Sequence, residues 1–162
     1  MMKIGIPSEI QNNETRVALV PSMVGELNKL DAEVLIEKNA GSEAFFPDEL
    51  YEKAGARIVT NAAELFNEAD LILKVQPPAD SELKKLKNGS AIIGFLAPTV
   101  NKNLVEKLLA KKVTSFSMEF IPRITRAQSM DALSSMSTVT GYKAVLMATE
   151  YFAKFFPLLM TA

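Results

Sequence analysis

The chain has 162 residues, 18 basic and 19 acidic side chains, a net charge of −1, and neither cysteine nor histidine. That composition excludes disulfides, thiolate metal sites and imidazole chemistry, and without a basic block it makes nucleic acid a poor partner. The length allows one ordinary domain with a sizeable core, whereas the longest apolar runs fall far short of the roughly 20 residues of a membrane span.

The N-terminus enters a strand pattern at residues 3–6 with no basic-then-apolar leader ahead of it, so no secretory signal is expected. Further strand patterns fall at 33–37, 57–59, 71–75, 91–95 and 113–117. Helical patterns lie between them at 21–30, 47–53, 61–67, 80–86 and 101–111. Pro21 and Pro47 suit first helical positions, where a missing N–H costs nothing. Gly55 and Gly89 follow helices, where a left-handed cap favours glycine. Runs such as Leu71-Ile72-Leu73 are continuous rather than alternating, which points to strands covered on both faces. The repeated β-α order predicts an α/β fold with a doubly wound, mostly parallel, flavodoxin-like sheet.

The last strand leads into a polar loop, residues 121–135, that holds Arg123, Arg126, Gln128, Asp131, Ser134 and further hydroxyls. Loops between a strand and a helix are where α/β proteins keep their chemistry, because the scaffold fixes their ends. An Arg donates in a fixed fork, a Gln both donates and accepts, and an ionised Asp only accepts. Such a set suits a flat polar group, a carboxamide or carboxylate, better than a metal. The alternative is a surface loop whose Arg and Asp pair with each other.

From 137 to 156 the residues Val139, Tyr142, Val145, Leu146, Thr149, Phe152 and Phe156 recur at three- and four-residue steps. This predicts an amphipathic helix about five turns long, stopped by Pro157. Its stripe is expected to pack on the domain core, with a seam between two protomers as the alternative.

The run PRITRAQSMDALSSMSTVTGYKAV resembles the polar loop and following helix of the NAD(H)-binding component of proton-translocating nicotinamide nucleotide transhydrogenases, in their alpha subunit. The matches include Arg123, Arg126, Ala127, Gln128, Ser129, Asp131, Ser134, Ser135, Gly141 and Tyr142. Lys3-Ile4-Gly5-Ile6-Pro7 and the run from Glu14 to Pro21 resemble the opening that this family shares with alanine dehydrogenases. Phe46-Pro47-Asp48 and Leu73-Lys74-Val75-Gln76-Pro77-Pro78 are similar to motifs of the same superfamily.

The resemblance implies an α/β N-terminal domain over residues 1–136, with 137–162 as a long helix and the start of a connection to a Rossmann domain. It implies hydride exchange between NAD(H), held on this side, and NADP(H) on the partner subunit, coupled to proton translocation. Arg123, Gln128 and Asp131 would be the catalytic positioning residues, and these three with Ser134 would contact the nicotinamide and its carboxamide. Arg126 is read as structural. The implied partners are a second copy of the chain and the beta subunit's NADP(H)-binding and membrane domains. The chain itself would be cytoplasmic, attached to the inner membrane through those partners.

Hydride transfer between two nicotinamides needs no proton donor, only two rings held face to face at about 3–3.5 Å with water excluded. A chain without histidine can take part in that. Alanine dehydrogenases must exchange protons with the substrate, and they place a histidine after the strand matching 91–95. Here the sequence reads Phe95-Leu96-Ala97-Pro98-Thr99, so the obvious acid/base is missing. Arg16 and Lys74 match residues that hold the substrate carboxylate in those enzymes and are read here as inherited or structural. The seven glycines form no dinucleotide fingerprint, so alone the chain is expected to hold a coenzyme only weakly. The alternatives kept open are an alanine or saccharopine dehydrogenase-type N-terminal domain and a truncated, non-catalytic dimerisation module.

Overall fold

The computed structural model describes residues 1–154, which fall into two units, Met1–Phe120 and the segment from Ile121 onward. In the first unit, β1 (Met2–Ile6), β2 (Ala32–Glu37), β3 (Arg57–Val59), β4 (Leu71–Leu73), β5 (Ala91–Gly94) and β6 (Thr114–Ser117) form one sheet. All pairings are parallel, in the order β3-β2-β1-β4-β5-β6. Between the strands run α1 (Pro21–Asn28), α2 (Asp48–Lys53), α3 (Ala62–Glu68), α4 (Asp80–Lys85) and α5 (Lys102–Ala110). The doubly wound α/β architecture is as expected. The order carries one distinction: a five-stranded flavodoxin sheet sets β3 beside β1, whereas here β3 lies outside β2 and β4 pairs with β1. The sheet therefore reverses its winding between β1 and β4.

A side chain at Gly5 would come within 2.8 Å of Leu65 Cδ2 and Ala69 Cβ, so glycine lets α3 lie this close to β1. Strand alternation then sorts the core into two layers. Leu35, Val59, Ile72 and Ile92 meet Leu65, Phe66, Leu83, Leu104 and Leu108 of α3, α4 and α5. Ile4, Ile6, Val34 and Ile36 meet Val24 of α1 and Tyr51 of α2 on the opposite face. Each such fully buried aliphatic side chain contributes about 1.5–3 kcal/mol relative to exposure.

Element ends differ from the sequence reading by a residue or two. Pro21 is indeed first in α1, but Pro47 stands just outside α2 as its extended N-cap. Gly55 and Gly89 both have positive φ, at 92° and 77°. Gly55 follows the cap of α2 directly, whereas Gly89 belongs to the turn before β5, beyond Leu86, the cap of α4.

In the second unit, a short 3-10 turn at Thr125–Met130 leads into α6 (Ala132–Tyr151). This helix begins five residues before the expected start and ends at Tyr151; Phe156 and Pro157 lie outside the described residues. No described residue of α6 is buried in the single chain, against the expectation of core packing. Nor does α6 have one apolar stripe. Met136, Leu133, Val145 and Tyr142 point to different sides, because about 100° separates successive residues of a helix. No described helix is long and apolar enough to cross a membrane.

Candidate functional site

Open α/β sheets bind ligands beyond the carboxyl ends of their strands, at the point where the winding reverses. Here that point is the gap between the exits of β1 and β4. Glu9, just past β1, accepts from the backbone N–H groups of Val75 and Gln76, just past β4, at 2.6 and 3.3 Å. Two more carboxylates bridge adjacent strand exits in the same manner. Glu37 at the end of β2 accepts from Ser8 N at 2.9 Å, and Glu119 after β6 accepts from Ala97 N after β5. Charge-assisted bonds of this kind are stronger than neutral ones, so the rim is pinned strand by strand.

Lys74 leaves the end of β4 with its side chain wholly buried. Its Nζ lies 2.7 Å from Glu82 Oε1 and 3.2 Å from Glu9 Oε2, both themselves buried. Glu82 sits in the first turn of α4, and its other oxygen accepts from Ala79 N at 2.8 Å. Beside this group, Arg16 pairs with Glu14 through Nε at 2.7 Å and Nη2 at 2.6 Å, and Gln76 Nε2 donates to Glu14 at 2.6 Å. The Arg16 guanidinium holds the Glu14 carboxyl down to about 2, helped by Gln76 and opposed by burial. So both cations are engaged by the chain's own carboxylates. With Glu37 and Glu119 included, the rim carries five carboxylates against Lys74 and Arg16, which does not favour an anionic phosphate.

Glu119 is the unusual member. Burial pushes its carboxyl up, but the backbone N–H groups of Glu119 itself, Ala97 and Leu96, with a contribution from Ser117, hold it below the ordinary value. Even so, Glu119 Oε2 and Ser117 Oγ are buried, and neither completes a hydrogen bond of acceptable geometry. A buried acceptor left open costs about 1–3 kcal/mol.

The polar loop lies in the second unit. Asp131 is the N-cap of α6: it accepts from Ser134 N at 3.0 Å and from Ser134 Oγ at 2.6 Å. The Ser134 hydroxyl is the main cause holding the Asp131 carboxyl below its usual range; the Ser134 N–H and the nearby Arg123 charge add to it. Arg123 Nε stands 4.0 Å from Asp131, and its side chain is 75% exposed, so the pairing leaves most of the guanidinium open. Arg126 and Gln128 are exposed, and neither side chain makes a hydrogen bond or ion pair among the described residues. Three of the four expected residues, Arg123, Asp131 and Ser134, thus cluster locally at the start of α6, and Gln128 stands apart from their contacts.

The sequence reading missed the rim carboxylates Glu9, Glu14, Glu37, Glu82 and Glu119. For Glu82 a signal existed, an acidic residue in the first turn of a helix that follows two prolines. A glutamate just past a strand carries no local sign that it will bridge to a neighbour.

Residues 5–140 match the family described as alanine dehydrogenase/PNT, N-terminal domain. The chain is 43% identical over 161 residues to the NAD(P) transhydrogenase subunit alpha of Haemophilus influenzae, covering 99% of this chain and 31% of that protein. It is 39% identical over 153 residues to alanine dehydrogenase 2 of Staphylococcus aureus, covering 94% and 40%. The crystal structure of transhydrogenase from Sinorhizobium meliloti superposes with a TM-score of 0.90 at 40% identity, over 99% of this chain and 48% of that one. The chain thus spans less than half the length of each of these relatives.

Proposed function

The chain belongs to the alanine dehydrogenase/PNT N-terminal domain family, and on that basis we propose that it serves as the N-terminal part of a transhydrogenase alpha subunit. In this reading it supplies the nicotinamide-contacting loop for hydride exchange between NAD(H) and NADP(H), coupled to proton translocation by a separate membrane component. Arg123 donates to the carboxamide oxygen or stacks on the ring and sets its tilt. Asp131 accepts from the amide nitrogen and fixes Arg123, Ser134 adds a short hydrogen bond, and Gln128 reaches toward the facing nucleotide. The working assembly is a homodimer docked through the beta subunit to the cytoplasmic face of the membrane.

The observation that carries the proposal is the Arg123–Asp131–Ser134 arrangement. Asp131 is already oriented by two bonds from Ser134 and held ionised, while Arg123 beside it keeps most of its donors open. Such a pair can orient a ring without exchanging a proton near neutral pH, which is all that hydride transfer asks of it. Amino-acid dehydrogenation asks for an acid/base as well, and this chain has no histidine to supply one.

The test is Arg123→Ala in the complete complex of alpha and beta subunits. Turnover is expected to fall by about tenfold or more, the scale of a mispositioned reactant, with an unchanged thermal midpoint. Normal turnover in that variant would remove the assignment. Reduction of pyruvate with ammonium by the same assembly would favour the alanine dehydrogenase alternative.

A further inference from the structure

Of the three carboxylates that tie neighbouring strand exits together, Glu119 alone stands at the root of the polar loop, two residues before Ile121. It sits in the short turn Met118–Phe120 after β6 and accepts from the N–H of Ala97 after β5. Ala97 is itself unusual: its φ is +48°, a left-handed conformation that a residue with a Cβ adopts only when its surroundings hold it there. The Glu119 carboxylate provides such a hold from the neighbouring strand.

The charge is the telling feature. A glutamine would fill the same space and could keep the bond to Ala97 through its carbonyl oxygen. It would do so without burying an ionised oxygen that has no partner, as Oε2 is here. What the carboxylate adds is a charge-assisted bond to the amides of the Leu96–Ala97 turn, whose N–H groups help to keep it ionised. We infer that Glu119 is a positioning residue: by pinning the exit of β6 to the exit turn of β5, it holds the turn Met118–Phe120, the covalent root from which the loop continues at Ile121. This rests on the reading that the loop orients the nicotinamide. Glu119 touches no reacting atom in this account and acts only through the loop.

The signature of that role is a split between rate and affinity. The chain has no glycine-rich fingerprint, so most coenzyme affinity is expected outside it, and a displaced loop root would tilt the ring more than it would loosen the coenzyme. In the complete complex, Glu119→Gln is expected to lower the hydride-transfer rate by about tenfold, with the NADH dissociation constant changing less than about threefold. In the 162-residue chain alone, the Ala97 amide of the same variant should exchange its hydrogen faster, while the amides of β1, β2 and β4 keep their protection.

A normal transfer rate in both Glu119→Gln and Glu119→Ala would overturn the inference. Faster exchange throughout the sheet would also overturn it, because the defect would then be general loosening. Arg123→Ala run alongside separates the two levels. If that variant is impaired and Glu119→Gln is not, the positioning role alone falls; if Arg123→Ala is normal, the reading of the loop falls first.

Discussion

At the scale of single residues, the rim contacts have consequences that titration and one added methyl group can expose. Arg16 holds the Glu14 carboxyl at about 2 in the folded chain, against an ordinary 4.5. A group depressed in this way is protonated first in the unfolded chain, so its contribution is complete above about 4.5 and is lost as the pH falls toward 2. Urea unfolding at pH 6, 4 and 3 should show stability declining across that window, and Glu14→Gln should flatten the decline. Gly94 gives a second test. A Cβ there would meet the carbonyl oxygen of Lys74 at 2.7 Å, and a backbone atom cannot swing away. Gly94→Ala should therefore cost about 1–3 kcal/mol, the usual range for overpacking, and lower the thermal midpoint. Gly25 in α1 has nothing within 4 Å of its added methyl, so Gly25→Ala should leave the midpoint unchanged or raise it.

Among the elements, α6 joins two roles at its first residues. Asp131 caps the helix through Ser134 and is also the carboxylate proposed to face the nicotinamide. Two substitutions separate these roles, because asparagine caps a helix about as well as aspartate while alanine does not cap at all. Asp131→Asn should keep the thermal midpoint and lose hydride transfer in the complete complex. Asp131→Ala should lower both. If Asp131→Asn transfers hydride normally, the carboxylate is only a cap. The rest of α6 carries few charges and many hydroxyls. Ser135, Ser137, Thr138, Thr140 and Thr149 all turn their hydroxyls onto carbonyls of the preceding turn, and Lys143 and Glu150 are its only charged residues. Its apolar residues are spread round the axis rather than gathered in one stripe.

For the whole molecule, the governing fact is that the chain spans less than half the length of the Haemophilus, Staphylococcus and Sinorhizobium relatives it matches. Its own rim is rich in carboxylates, its two rim cations are engaged, and its sequence has no fingerprint for a pyrophosphate. Titrating NADH into the chain by itself should therefore give no saturable change in NADH fluorescence. Adding the coenzyme-binding segment of a relative should restore binding. Tight binding to the chain alone would mean that the rim, not the loop, is the coenzyme site.

The strands, the helices between them and the parallel winding were legible in the sequence, because apolar runs, proline and glycine act on the backbone within a few residues of where they stand. The local grouping of Arg123, Asp131 and Ser134 was legible as well, since they lie within twelve positions of one another in the sequence. The placement of β4 against β1 was not, for it pairs Ile4 with Leu71, residues far apart in the chain, and no local signal selects that partner. The bonds from Glu9 to Val75, from Lys74 to both Glu9 and Glu82, and from Glu119 to Ala97 were equally hidden. A carboxylate at the end of a strand looks like any solvated charge until the neighbouring strand brings an amide to it, and only the folded sheet decides which strand that is.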